Sequence, residues 1–127
     1  MQLGDMRKIP FESNYFDYIY SWNTIFHMNK KDIKKSIDEM IWVLKPRGFC
    51  FVNFLSKDSD RYGKGKEPNP GECVEIYDDE EVMHTYLDDE EPDKLFENLE
   101  LEILYREKRA VSKKYEGRLE RDSYFNI

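Results

Sequence analysis

The chain has 127 residues, enough for one hydrophobic core and too few for two domains to be expected. Charged residues make up 37% of it and aromatic residues 15%, a mixture that favours an ordered globule over a disordered chain. The formal net charge of -7 argues against general attraction to nucleic acid or anionic lipid, because both require a cationic surface. No apolar run approaches the ~20 residues of a membrane-spanning helix. Because Met1–Met6 also lacks the apolar core of a secretion signal, we expect a cytoplasmic protein.

The first part of the chain predicts a strand followed by a helix. Phe16–Trp22 has strand-like composition and predicts a buried strand, and a connector over Asn23–Asn29 follows it. Asn29 or Asp32 is available to cap the helix, and Pro46 stops it. The apolar residues that recur on one helical face are Ile33, Ile37, Met40, Ile41 and Leu44.

A second strand is predicted over Phe49–Leu55. This run is apolar apart from Asn53, which is typical of a strand covered on both faces, and its Cys50 is expected to fill core. A strand, a helix and a second buried strand form a parallel crossover unit. We therefore predict an α/β fold.

The middle of the chain predicts a loop and a hairpin. Ser56–Gly71 is rich in glycine, proline and charge, so we expect an exposed loop there. Two short alternating runs, Cys73–Tyr77 and Val82–Tyr86, predict a small hairpin that stands off the main sheet.

The last part predicts a helix and an antiparallel strand pair. Asp88 or Asp89 is expected to cap the helix, whose apolar contacts are Leu95, Phe96 and Leu99. The pair consists of a strand over Leu101–Val111, a charged turn over Lys113–Glu120 and a strand from near Ser123.

Cysteine and histidine often bind metals, and glycine-rich turns often bind phosphates. In this sequence their spacing matches neither kind of site. Cys50 and Cys73 belong to no CxxC pair, and with His27 and His84 they match no zinc spacing, so we expect no metal site. The glycines around Gly63 have no dinucleotide-binding spacing and open no helix.

Two segments carry a family resemblance. GDMRKIPFESNYFDYIYSWNTIFHM is similar to the stretch of class I S-adenosylmethionine-dependent methyltransferases in which an acidic loop, a Pro-Phe turn and a strand containing Phe-Asp lead to a histidine-bearing connector. IDEMIWVLKPRGFCFVNF is similar to the family's next helix, Leu-Lys-Pro-Gly-Gly turn and strand. The match is specific from Gly4 to Ser56 and rests on element order beyond. Arg47 stands where the family commonly has glycine, and a positive φ there would cost about 1 kcal/mol.

The resemblance implies one domain over residues 1–127, the carboxyl-terminal half of a Rossmann-like methyltransferase fold. Its sheet is expected to be mixed, with an antiparallel carboxyl-terminal strand pair and flanking helices. The sequence contains no counterpart of the family's glycine-rich cofactor turn, nor of the acid that holds the cofactor ribose. We therefore expect the isolated chain to bind S-adenosylmethionine weakly and to be inactive. The methyl acceptor implied by the family is a small molecule or a protein side chain.

For the cofactor, the resemblance implies two groups of residues. Asp5 and Met6 correspond to the loop beside the adenine, although a solvated Asp5 near a chain end is the competing interpretation. Ser21, Trp22 and Asn23 follow at the carboxyl end of a parallel strand, where open α/β sheets place ligands.

For the substrate, the resemblance implies the connector and the hairpin. His27 is the candidate catalytic base, against the alternative of a structural or exposed histidine. Tyr77, His84 and Tyr86 are the candidate substrate-side residues, although a half-buried strand produces the same alternation.

A second function remains open, that of a noncatalytic interaction module. In the parent fold the Phe16–Trp22 strand pairs with a neighbour that this sequence lacks, and an unpaired apolar edge invites another chain. We therefore expect a homodimer, or a partner that supplies the missing half.

Overall fold

The computed structural model describes residues 3–115 and 118–127, and within them it contains seven strands and two α-helices. The strands are β1 (Phe16–Ser21), β2 (Leu44–Ser56), β3 (Lys66–Asn69), β4 (Glu72–Tyr77), β5 (Glu80–Leu87), β6 (Glu107–Tyr115) and β7 (Arg118–Asn126). The helices are α1 (Lys30–Val43) and the single turn α2 (Glu91–Lys94), and a 3-10 turn spans Ile25–His27.

The central strand of the sheet is β2. The strands follow the order β3-β4-β5-β2-β7-β6, and β1 also pairs with β2. β1 and β5 run parallel to β2 and share one of its edges: β1 pairs with it as far as Val52, and β5 pairs with Leu55 and Ser56. β7 lies antiparallel on the other edge and carries β6 in turn. The predicted mixed α/β sheet with an antiparallel carboxyl-terminal pair is therefore confirmed.

The helix α1 forms as the sequence predicts. Asn29 is the cap, since its side chain accepts a hydrogen bond of 2.8 Å from the backbone N–H of Asp32. Ile33, Ile37 and Met40 are buried on one face, which contributes roughly 5 to 9 kcal/mol of transfer free energy as an upper limit. The main core is formed by that face together with Ile25, Val52, Phe54, Leu87, Phe96 and Phe125.

The opposite face of β1 and of the start of β2 is open. The open aromatic face consists of Tyr18, Tyr20, Trp22, Phe49 and Phe51. Tyr18 and Tyr20 are each 63% exposed and Phe49 is 54% exposed, and no described helix covers them. Stacking holds the rings together, with 5.5 Å between the centroids of Tyr20 and Phe51. The expectations of a buried Phe16–Trp22 strand and of a Phe49–Leu55 strand covered on both faces are therefore wrong for this side of the sheet.

The start of β2 has the backbone strain that the sequence suggested at Arg47. Arg47 has a φ of 68°, in the left-handed region that costs an ordinary residue roughly 1 to 2 kcal/mol. Gly48 follows at a close approach, since a Cβ there would lie 2.9 Å from the carbonyl oxygens of Asp17 and Lys45. The start of β2 therefore tolerates a side chain at position 47 and requires glycine at position 48.

The hairpin is present but does not stand off the main sheet. β4 and β5 pair from Glu72–Thr85 to Tyr77–Glu80 through a turn in which Asp78 and Asp79 have positive φ. The end of β5 then pairs with β2, because this pairing buries the apolar residues at the end of β5. The predicted Ser56–Gly71 loop also contains a strand, β3, which pairs with β4.

The predicted boundaries are wrong in the last part of the chain. Neither Asp88 nor Asp89 caps a helix: α2 starts at Glu91, and the Asp88 carboxylate lies 3.1 Å from the Lys57 ammonium. The strand predicted from Leu101 begins at residue 107, and the strand predicted from near Ser123 begins at residue 118.

The predicted charged turn over Lys113–Glu120 is wrong for its described residues. Its described residues belong to β6 and β7, and residues 116–117 lie outside the described part of the chain. Across the residues that are described, no helix has the length and apolar character needed to cross a membrane.

Candidate functional site

The candidate site lies where β1 ends and β5 replaces it beside β2. Asn53 of β2 is fully buried at this junction. Its side-chain oxygen accepts a hydrogen bond of 2.7 Å from the backbone N–H of Asn23, and its amide donates one of 2.8 Å back to the Asn23 side chain. Asn23 has a φ of 52°, a conformation that asparagine tolerates. The reciprocal pair fixes the direction in which the chain leaves β1.

The connector after β1 delivers a histidine to the hairpin. The 3-10 turn buries Phe26 and leaves His27 exposed. The His27 ring lies 4.7 Å from the His84 ring, centroid to centroid, at 65°. The connector is held at its far end as well, because the buried Thr85 hydroxyl donates to the backbone carbonyl of Met28.

The tautomer of His27 follows from one contact. Its Nδ1 lies 3.3 Å from the backbone carbonyl oxygen of Met83. Because a carbonyl oxygen only accepts, neutral His27 carries its proton on Nδ1 and a lone pair on Nε2. The nitrogen that can take a proton from a bound group is therefore Nε2.

A carboxylate network lies beside the histidines. The Oε2 atom of Glu75 accepts hydrogen bonds of 2.7 Å from the Tyr77 hydroxyl and 2.9 Å from the Arg61 guanidinium. Arg61 also donates to the Tyr77 oxygen and lies over the Tyr77 ring. Burial alone would raise the pKa of Glu75, but the bonds from Tyr77 and Arg61 outweigh it and hold that pKa below its usual value. Glu75 is therefore ionised at neutral pH.

Two polar atoms in this region are buried without a hydrogen-bond partner, Nδ1 of His84 and Oε1 of Glu75. Burial, followed by the charge of a protonated His27, lowers the pKa of His84 below its ordinary value of 6.5. His84 is therefore neutral at neutral pH. The site combines a neutral imidazole with an ionised carboxylate.

Tyr86, the third predicted substrate-side residue, is buried rather than exposed. It is 3% exposed and packs in a small cluster with Phe26, Leu55 and Cys73. Burial raises the pKa of its phenol. The structure places the His84 ring 4.7 Å from the His27 ring and 6.5 Å from the Tyr77 ring, with Tyr86 buried two residues further along β5.

The predicted cofactor-side residues are more dispersed. The Asp5 carboxylate lies 2.6 Å from the Arg7 guanidinium and accepts the Arg7 backbone N–H at 2.9 Å. The bonds from Arg7 lower the pKa of Asp5 to about 2. Met6 packs against the main core. Ser21 is buried with no hydrogen-bond partner for its hydroxyl, and Trp22 belongs to the open aromatic face.

These residues do not fit a whole S-adenosylmethionine molecule. The carboxylate of Asp5, the candidate adenine partner, is engaged by Arg7. In the described residues no glycine-rich turn joins a strand to a helix, and the connector over residues 22–29 contains no glycine. The Ser21 hydroxyl is the one predicted cofactor contact that is buried and unpaired.

Sequence reasoning missed three residues of the site. Asn53 was visible as the one polar residue in an apolar strand, and Glu75 shares the strand alternation of Tyr77. Arg61 comes from a loop, where no periodic signal marks a functional side chain. In the described part of the chain, no three His, Cys, Asp or Glu side chains are arranged to hold a metal ion.

A groove of about 720 Å³ lies elsewhere, along the start of β2 and the segment before β6. Tyr18, Phe49 and Leu104 are among its lining residues. It contains none of the predicted site residues, so its size does not make it the candidate site.

Comparison with known proteins points to one family. Residues 1–52, which include β1, α1 and most of β2, match a family model described as a methyltransferase domain. The predicted methyltransferase resemblance is confirmed. No curated protein matches the chain.

Solved structures support the same fold over nearly the whole chain. An S-adenosylmethionine-dependent methyltransferase from Methanosarcina mazei is 16% identical with a TM-score of 0.70, covering 98% of this chain and 65% of that one. Another from Clostridium acetobutylicum is 18% identical with a TM-score of 0.62, covering 98% and 63%. A protein from Pyrococcus horikoshii is 23% identical with a TM-score of 0.56, covering 97% and 57%. At these identities the likeness shows the fold, and the chain spans less than two thirds of each neighbour.

The lowered pKa of His84 predicts how stability depends on pH. Between the folded-state pKa and about 6.5, the unfolded chain binds more protons than the folded chain, so the free energy of unfolding falls as the pH is lowered through this window. We expect His84→Phe to remove this slope. Urea unfolding at a series of pH values measures it.

His27→Gln is the matched variant, since the chain has only 2 histidines. It removes the charge that helps lower the pKa of His84, so the slope should shrink without disappearing. Equal slopes in the wild type and in His84→Phe would show that His84 is not buried as a neutral imidazole.

Proposed function

We propose that this chain provides the acceptor side of an S-adenosylmethionine-dependent methyltransferase. The proposal rests on the contact between His27 and His84, whose ring centroids are 4.7 Å apart. This contact lies at the carboxyl end of β1, in a sheet that has the methyltransferase fold. Open α/β sheets bind ligands at that edge. The acceptor remains a small molecule or a protein side chain.

His27 is the proposed catalytic base. The cofactor, when bound, supplies the methyl group. The chain's own contribution is to hold the acceptor and to receive its proton at Nε2 of His27, while the Met83 carbonyl fixes the tautomer. Tyr77 and His84 form the wall that positions the acceptor.

The 127-residue chain alone is proposed to bind the cofactor weakly and to be inactive. The engaged Asp5 carboxylate and the glycine-free connector support this, since neither leaves a cradle for the methionine part of the cofactor. The two cysteines are free thiols in the described residues, which suits a reducing compartment. We therefore propose a cytoplasmic location.

Cofactor binding tests the proposal in two arms. Isothermal titration calorimetry of the 127-residue chain with S-adenosylmethionine should show no measurable heat of binding. A fusion to the part of the Methanosarcina protein that this chain does not cover should gain affinity, because the family resemblance implies that this part holds a neighbour for β1 and a cofactor turn. Ser21→Val in the fusion should weaken that affinity by about tenfold, the loss of roughly one hydrogen bond.

Tight binding with methyl turnover by the chain alone would contradict the proposed inactivity. A folded fusion that gains no affinity would contradict the methyltransferase proposal itself. Ser112→Val, an exposed substitution on β6, is the matched control and should leave the affinity unchanged.

A noncatalytic, self-associating module is the second candidate. The open aromatic face favours it, because contiguous exposed rings mark interaction surfaces. The outer edge of β1 also pairs with no described strand. Strand alternation places Asp17 on the other side of β1, so the aromatic side of that strand carries no charge.

The area and symmetry of this surface suit a second copy. Five rings of ~150 to 250 Å² each, exposed by about half, offer roughly 400 to 600 Å², and the β1 edge adds backbone area towards the ~800 Å² per partner of a stable interface. A two-fold axis near Ile19 would bring Tyr18 of each copy beside Tyr20 of the other. A separate chain that supplies further strands of a methyltransferase sheet would use the same edge.

Light scattering after size exclusion tests self-association. The wild type should be a dimer, and the double substitution Tyr18→Lys with Tyr20→Lys should be a monomer, because four charges would then meet in the interface. Ile76→Lys is the control, since Ile76 is 69% exposed on the hairpin, away from this face. A wild type that stays monomeric at high concentration would contradict the dimer.

A further inference from the structure

The edge of β2 that carries β7 is paired over only part of its length. β7 pairs with β2 over residues 53–55. Just before them, Val52 exchanges two backbone hydrogen bonds of 2.8 and 2.9 Å with Ile127. No described strand pairs with this edge over residues 44–51. The first part of β2 therefore has a neighbouring strand, β1, on one side only.

The backbone groups of Cys50 point to this unpaired edge. Successive residues of a strand direct their N–H and C=O groups to opposite edges, and those of Val52 point towards β7. Cys50 comes two residues earlier in the same unbroken register with β1, so its groups point the same way. Within the described residues, neither group forms a hydrogen bond. Because an unpaired backbone group is costly in apolar surroundings, the edge favours an added strand.

The groove of about 720 Å³ lies along this edge. Its other wall is the segment over residues 100–105, which precedes β6. Because β7 separates β6 from β2 in the sheet, the two walls stand two strand spacings apart, roughly 10 Å. Residues 102–105 form no backbone hydrogen bond with another described residue. The groove therefore has the width of one strand, with backbone groups available on both sides.

The groove is apolar on both faces of the sheet. On the core face, Cys50, Ile41 and Phe96 line it and belong to or pack against the main core. On the opposite face, Tyr18 and Phe49 line it and belong to the open aromatic face. Its charged lining residues are two cations and two acids: Lys45, Arg47, Glu100 and Glu102. A segment that fills the groove therefore needs apolar side chains in both alternating directions and no net charge.

We propose that this groove binds an extended, uncharged apolar segment of another protein, which adds a strand beside β2 in continuation of β7. The residue opposite Cys50 exchanges two backbone hydrogen bonds with it, as Ile127 does with Val52. A free segment is favoured over an edge strand of a second copy, because residues 100–105 close the far side of the groove. A strand that is still held in a sheet does not enter a gap one strand wide.

Hydrogen exchange of the Cys50 amide tests the pairing in the intact 127-residue chain. The probe is acetyl-Thr-Val-Ile-Val-Thr-amide, an uncharged peptide whose β-branched residues favour the extended conformation. At saturating peptide, exchange of the Cys50 amide should slow by about tenfold, the effect of roughly one hydrogen bond. The Phe51 amide points towards β1 and is the internal control, so its exchange rate should not change.

Two further probes separate backbone pairing from simple filling of the groove. A peptide with an ester in place of the central amide N–H lacks one donor and keeps the shape of the chain. In a nuclear magnetic resonance titration it should bind about tenfold more weakly than the parent peptide. Toluene fills apolar space without backbone groups and should leave exchange of the Cys50 amide unchanged.

Leu104→Lys tests the far wall of the groove. Leu104 is 68% exposed, so the substitution spares the core but places a charge in an apolar groove. We expect the parent peptide to bind about tenfold more weakly, the loss of part of one buried apolar side chain. Ile76→Lys is the matched control, since Ile76 is 69% exposed on the hairpin, and it should bind as the wild type does.

The inference is overturned if the peptide leaves exchange at Cys50 unchanged, if the ester peptide binds as tightly as the parent, or if toluene slows exchange equally. Unchanged affinity in a folded Leu104→Lys variant would also overturn it. Protection of the Cys50 amide in the free chain that rises with protein concentration would assign the edge to a second copy instead. No cofactor is present in these measurements, so failure of the methyltransferase proposal leaves them unaffected.

Discussion

The reciprocal hydrogen bonds between Asn23 and Asn53 decide how this molecule is put together. One edge of β2 serves two parallel strands in succession, β1 up to Val52 and β5 from Leu55, and Asn53 lies between the two pairings. A buried amide is costly unless it is paired, so Asn53 must hold its partner in one geometry. That geometry turns the chain away from β1. It directs Phe26 into the small cluster with Tyr86, Leu55 and Cys73, and it leaves His27 beside the hairpin.

The same arrangement leaves one face of the sheet covered by the core and the opposite face exposed. The face towards α1 is covered by aliphatic and phenylalanine side chains of the main core, whereas the opposite face of β1 ends in stacked, half-exposed rings. Aromatic stacking orders that face without removing it from water. Both proposed functions involve the free side of β1. A methyltransferase needs further strands beside β1, and a self-associating module needs a second copy of the chain there.

The sequence predicted well the elements whose side chains repeat with a clear period. The helix α1 and its Asn29 cap, the parallel crossover and the alternating hairpin all follow from local pattern. The boundaries of β6 and β7 were missed because both strands are rich in charged residues, whose sequence carries no apolar alternation. The openness of the Tyr18 and Phe49 face was missed because an apolar strand looks the same in sequence whether or not anything covers it. Of the candidate site, the rings could be predicted, but the Arg61–Glu75 network depends on a loop whose path the sequence does not encode locally.

The most direct test of this account is a nuclear Overhauser measurement between the ring protons of His27 and His84 in the wild-type chain. The rings belong to residues 57 positions apart and meet only if β1, the connector and the hairpin are assembled on β2 as described. A strong cross-peak is predicted, and it should weaken in a folded Asn53→Ala variant that releases the connector. A folded wild-type chain with no such cross-peak would contradict the account.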